Sequence, residues 1–138
     1  MLIAATLASP ASTESIGETI KSFGFVGVWS LDCTQEAERL IVSAPLLDTP
    51  IITLVSSADH KKIVIKYELT SARMITDRKL KVESRVKEAE VDGKRSESEN
   101  IPGMNVVYEK YGSKIRIISS NPLLGLFAVP QFEKCLEG

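Results

Sequence analysis

With 138 residues, 43% hydrophobic and 25% charged, the chain has the size of one globular domain, in which a single core can bury roughly 70% of the unfolded surface. Seventeen Lys and Arg against eighteen Asp and Glu leave a formal net charge of −1, so no overall field draws the chain to nucleic acid or to an anionic membrane. One histidine, and two cysteines that form no Cys-x-x-Cys, supply no zinc or dithiol set; no metal or cofactor is expected.

The first eleven residues stand apart. Met1 to Ala8 is uncharged and apolar, and Ser9-Pro10-Ala11 offers the small residues of a cleavage site. The pattern reads as the hydrophobic and cleavage regions of a secretory signal, without a basic leader and too short to span a bilayer. The expectation is a signal-peptide remnant over 1–11, a single β-barrel domain over 12–138, no membrane span, and a periplasmic or secreted location. Ser15 and Glu18 then have capping-box spacing, with Ile16, Ile20 and Phe23 on one face. This predicts a short helix that must dock on something apolar.

After Phe23 the period changes to two. Phe25, Gly27, Trp29, Leu31 and Cys33 share one face of a first strand, the expected core side, with Gly24 and Gly27 read as strand glycines. Leu40, Val42 and Ala44 alternate next, closed by Pro45, and Ile51 to Val55 is a nearly continuous apolar run of ambiguous facing. Asp59-His60-Lys61 reads as a turn. Ile63, Ile65, Tyr67 and Leu69 then alternate with polar or outward residues, and after a turn at Asp77-Arg78 so do Leu80, Val82, Ser84 and Val86. Asp92-Gly93 is a hairpin signal, and the polar stretch Lys94 to Asn100 belongs on an edge or rim. Met104 to Tyr111 and Lys114 to Ser119 are β-rich and joined by Gly112-Ser113, which suits a type II′ turn. Asn121-Pro122 can open a short C-terminal helix carrying Leu123, Leu124 and Phe127, stopped at Pro130.

About eight short strands at hairpin spacing, with no crossover long enough for parallel pairing, predict an all-β fold: an eight-stranded antiparallel meander barrel with short N- and C-terminal helices. Cys33 and Cys135 are the paired thiols of an exported chain and are expected to form a disulfide joining the first strand to the tail. Closing a loop of about a hundred residues is worth up to about 4.7 kcal/mol on the chain-entropy picture.

Gly27-Val28-Trp29 on a first strand, after a short helix and ahead of an eight-strand meander, resembles the lipocalin-like (calycin) group over about residues 15 to 130. The same start, with Cys33 and a late Cys135, is similar to small bacterial periplasmic proteins. The resemblance implies a barrel whose first-strand Trp packs at the closed end, often under an Arg from the last strand; Arg116 is the candidate for that position. It also implies a small-molecule ligand held in the barrel.

The inventory of reactive groups yields no catalytic constellation, and no enzyme is expected. His60, the only imidazole, sits in a polar turn. Asp32 reads as a strand-end residue, and Glu36 and Glu38 as solvated carboxylates. The stretch Glu83 to Glu99 mixes charges as a solvated hairpin does. Tyr67, Tyr108 and Tyr111 suit either a cavity wall or a core. Two functions follow: an exported barrel that binds a small apolar molecule, or a periplasmic protein-interaction or inhibitor module whose partner is another envelope protein.

Overall fold

A computed structural model describes residues 15–34, 38–45, 48–58, 60–96, 102–121 and 131–137. The expected leader over 1–11 and the expected C-terminal helix after Asn121 lie outside the described residues.

The helix α1 (Ile16–Phe23) forms as its ends dictate. Ser15 Oγ accepts from the Glu18 amide at 3.0 Å while the Glu18 carboxylate accepts from the Ser15 amide at 3.2 Å, the reciprocal pair of a capping box. At the other end Gly24, at φ 83°, donates to the Lys21 carbonyl and Phe25 to the Ile20 carbonyl, a Schellman motif. Gly24 therefore terminates the helix and is not a strand residue, because only glycine takes this left-handed conformation without strain. Ile20 and Phe23 are fully buried and Ile16 partly so, as their spacing demands.

The strands are β1 (Gly27–Ser30), β2 (Arg39–Ser43), β3 (Ile51–Ala58), β4 (Lys61–Thr76), β5 (Lys79–Val91), β6 (Lys94–Ser96), β7 (Met104–Tyr111), β8 (Lys114–Asn121) and β9 (Gln131–Glu137). All pairs are antiparallel. The sheet runs β4-β3-β2-β1-β9-β8-β7-β5-β6, and pairing of β4 with β5 closes eight strands into a barrel. The fully exposed β6 shares one edge of β5 with β7: β6 pairs with Ala89–Val91 and β7 with Lys79–Ser84. Turn chemistry sets the registers. Asp92 and Gly93 both have positive φ (53° and 81°), and at Gly112-Ser113 only the glycine does (65°), as a type II′ turn requires.

The barrel closes differently from the expectation. Its last strand is β9, which sequence reasoning left as tail; β9 pairs with β1 along four positions and with β8 along three. Strand one also ends early. β1 ends at Ser30, and the turn that Asp32 makes with Thr34 leaves Leu31 and Cys33 exposed to solvent, so these two are not core residues as expected.

Inside, Phe25 lies between Trp29 (ring centroids 6.3 Å) and Tyr108 (4.7 Å), continuous with Leu40, Leu54, Tyr67, Leu80, Val82 and Phe132, all buried. Outside, Arg85 pairs with Glu68 (2.8 Å) and Glu88 with Lys66 and Arg95 (3.5 and 3.9 Å). Such exposed pairs are worth roughly 0.2–1 kcal/mol each, so the charged β5–β6 hairpin is solvated wall, not core.

Candidate functional site

Helix α1 lies across one end of the barrel. Its Gly17 abuts Ala44 and Pro50 beyond β2 and ahead of β3, and the helix packs on β4. It does not cover the β7–β9 side. There a cleft of about 360 Å³ opens, floored by Phe23, Trp29 and Ile115 and edged by Lys110, Lys114 and Lys134. Lys110 and Lys134 reach it because they occupy inner-face positions: Lys110 pairs in register with buried Ile115, and Lys134 with Trp29. A lysine at the last inner position of a barrel strand can bury its stem and carry its ammonium to the rim. The Lys110 ammonium stands 4.5 Å from the Phe23 ring centre and that of Lys134 5.2 Å from the Trp29 ring. Lys134 also donates to the Gly24 carbonyl at 3.0 Å, tying β9 to the end of α1, where a cation is favoured.

The Trp29 indole N–H donates to the Phe25 carbonyl at 2.8 Å, so the ring is buried with its polar group satisfied. The cation over it is Lys134, from β9. Arg116, the expected candidate, instead faces outward: it pairs with Glu109 (2.6 Å) and stacks on Tyr111 (5.1 Å). The expectation failed because β8 is not the last strand.

Farther in, Tyr67 and Tyr108 are buried, with their phenol pKa values pushed up, chiefly by burial and at Tyr108 also by its neighbour Tyr67. Both therefore stay neutral and can donate hydrogen bonds. Tyr111 lines no interior; it is 55% exposed. Toward the end opposite α1, the inward residues Ile63, Ile65, Val86, Val91 and Ile117 are only partly buried. A second hollow, about 520 Å³, lies on the outer wall among Ser43, Ile51, Thr53, Lys66, Glu68 and Glu88.

No protein-family model matches the chain, and no curated protein or solved structure matches it either.

The reactive residues singled out from sequence are not brought together. His60 is an exposed turn residue at φ 64° between β3 and β4. The Asp32 carboxylate accepts from the Thr34 hydroxyl (2.6 Å) and amide (2.9 Å), a local turn whose hydrogen bonds, the hydroxyl's first, lower its pKa. Glu36 lies outside the described residues. Glu38 is half-buried with one carboxylate oxygen unpartnered, and burial raises its pKa. Cys33 and Cys135 do meet, at disulfide distance with Cα atoms 5.4 Å apart. No helix among the described residues is long and apolar enough to cross a membrane, and no group of three metal-ligating side chains occurs among them.

Sequence reasoning missed Lys110 and Lys134, because charged residues in a strand are read as outward. The available signal was parity: Met104, Val106, Tyr108 and Lys110 fall on one face, as do Phe132 and Lys134.

Proposed function

We propose that the protein is an exported barrel, similar in architecture to the lipocalin-like group, that holds a small apolar or amphipathic molecule and carries out no catalytic step. The observation that supports this is the inner face toward the end opposite α1. Ile63, Ile65, Val86, Val91 and Ile117 point inward yet stay partly exposed, above the buried phenols of Tyr67 and Tyr108. An aliphatic wall with a few convergent polar groups is the usual make-up of a small-molecule site. Export is supported by the Cys33–Cys135 pair, whose members are exposed and half-buried and so need an oxidising compartment to stay joined.

Native mass spectrometry of protein purified from its own host tests the reading, with a co-purifying small molecule expected. A fluorescent fatty-acid-like probe should bind with micromolar affinity, and Tyr67→Trp should weaken it by filling space without unfolding the barrel. Empty protein, together with probe binding unmoved by Tyr67→Trp, would sink the reading. The alternative would then lead: a periplasmic interaction or inhibitor module, favoured by the mixed-charge hollow on the outer wall of β2–β5.

A further inference from the structure

The chain is nearly neutral as a whole, but positive charge and exposed apolar surface gather on one hairpin. β3 accompanies β4 only as far as Glu68, so the rest of the long β4–β5 hairpin overhangs the wall. It does so at the end that carries α1: the Lys110 amide donates to the Arg78 carbonyl at 2.7 Å, and the Lys110 ammonium stands over Phe23. Arg73 through Arg78 are all exposed. Met74 is 38% and Ile75 48% exposed, although Leu80, the register partner of Met74, is fully buried. The register shift between Met74 and Thr76 makes Ile75 the extra residue of a bulge, a device that re-aims a side chain out of the sheet. Isolated exposed aliphatics need no partner, but two neighbours raised on a bulge at an overhanging tip form one apolar point.

Cations surround that point. From Arg73 to Lys81 the hairpin carries Arg73, Arg78, Lys79 and Lys81 against one acid, Asp77. Lys110 and Lys114 stand on the adjacent β7–β8 hairpin, where Glu109 is held by Arg116 at 2.6 Å. None of these six cations has a carboxylate within 4.0 Å among the described residues. Arg73 and Lys81 are moreover register partners, like charges set opposite each other across the hairpin, which costs stability unless an anion lies over them. A nucleic acid would satisfy the cations and leave Met74 and Ile75 without apolar contact, and residues 73–81 offer no aromatic ring for a base to stack on. An anionic bilayer presents phosphates at its surface and hydrocarbon just beneath, which satisfies both.

We propose that the β4–β5 hairpin docks the protein on the surface of an anionic phospholipid bilayer. Met74 and Ile75 enter the boundary between headgroups and acyl chains, and Arg73, Arg78, Lys79 and Lys81 lie against lipid phosphates. The contact is peripheral and independent of an interior ligand, and it leaves the end opposite α1 facing away from the bilayer.

Co-sedimentation of the full chain with vesicles tests this, using phosphatidylcholine alone and an equal mixture of phosphatidylcholine and phosphatidylglycerol. Binding should be at least about tenfold stronger on the mixed vesicles and should weaken as ionic strength rises. Met74→Ser combined with Ile75→Ser should weaken it at least about tenfold and leave the melting temperature unchanged, since both side chains are exposed. Arg73→Gln combined with Lys81→Gln should also weaken binding to the mixed vesicles, without lowering the melting temperature. Should the serine pair prove unstable, Ile75→Trp supplies a second readout. Brominated acyl chains should quench its emission and leave unchanged that of the parent, whose only tryptophan is the buried Trp29. Absence of binding to the mixed vesicles, equal binding to both vesicle types, or binding indifferent to loss of Met74 and Ile75 would overturn the proposal. So would a DNA duplex that binds as tightly as the mixed vesicles, which would make the hairpin a general polyanion face.

Discussion

Replacing Trp29 dissects how the capped end is held. Its indole is 4% exposed, lies against Phe25, has Lys134 above it and donates to the Phe25 carbonyl. Trp29→Ala removes a large buried ring, for which about 3–5 kcal/mol is expected from lost transfer energy and the cavity left behind. It also strands the Phe25 carbonyl, adding about 1 kcal/mol, and deletes a cation–π contact of about 0.5–1 kcal/mol. Partial collapse of the cavity offsets some of this, so about 4 kcal/mol is the net expectation, a drop of roughly 10–20 °C in melting temperature for a domain of this size. Trp29→Phe keeps most of the apolar fill and loses the hydrogen bond, so it should cost about 1–2 kcal/mol. Chemical denaturation followed by circular dichroism, which needs no tryptophan signal, reads both variants on one scale. A Trp29→Ala protein that unfolds within a few tenths of a kcal/mol of the parent would refute the core role. So would parent fluorescence typical of a hydrated indole.

Reducing the Cys33–Cys135 pair should lower stability by about 2–4 kcal/mol, seen as a melting shift shared by the Cys33→Ser/Cys135→Ser variant; two titratable thiols in unreduced protein would contradict it. Gly103→Ala should cost about 1–3 kcal/mol, because a Cβ there would overlap the Ser84 carbonyl and lie 3.2 Å from the Arg85 Cα, both backbone atoms that cannot turn aside; unchanged denaturation would show that the strands slide to make room. Glu38→Gln should raise the melting temperature at pH 7 and leave it unchanged near pH 3. The folded pKa of Glu38 is raised, so the folded protein holds this proton more tightly, and stability falls as pH rises from the unfolded carboxylate range through the folded value; a variant less stable than the parent at pH 7 would reverse that sign.

Local chemistry was legible where one residue does one job. The Ser15–Glu18 box, the Ile16/Ile20/Phe23 stripe, the turns at Asp92-Gly93 and Gly112-Ser113, and the alternation of β4 and β5 each depend on neighbours in sequence. What escaped depends on tertiary placement. β9 reads poorly as a strand because its inner face holds Phe132 and then Lys134, so alternation shows one apolar residue where a reader looks for three. The end of β1 is hidden likewise: parity continued through Leu31 and Cys33 gives the wrong face, since the chain leaves the strand after Ser30 and turns at Asp32–Thr34. The cleft was invisible for a related reason, because its cations come from β7 and β9, its floor from α1, β1 and β8, and only closure brings them together.

That closure rests on a seven-residue segment that follows the other described strands in the chain. As the chain emerges in order, β1 through β8 can pair as an open curved sheet whose two rims, β1 and β8, keep unsatisfied backbone groups, the form most prone to join rims on other molecules. Arrival of Gln131–Glu137 seals both rims in one event, sets Lys134 on the end of the helix, and brings Cys135 to Cys33. A chain halted before Gln131 would thus lose the seam, the helix tether and the crosslink together, and would accumulate as aggregate and not as a slightly weakened barrel. Gln131–Glu137 acts as the latch for Gly27–Ser30.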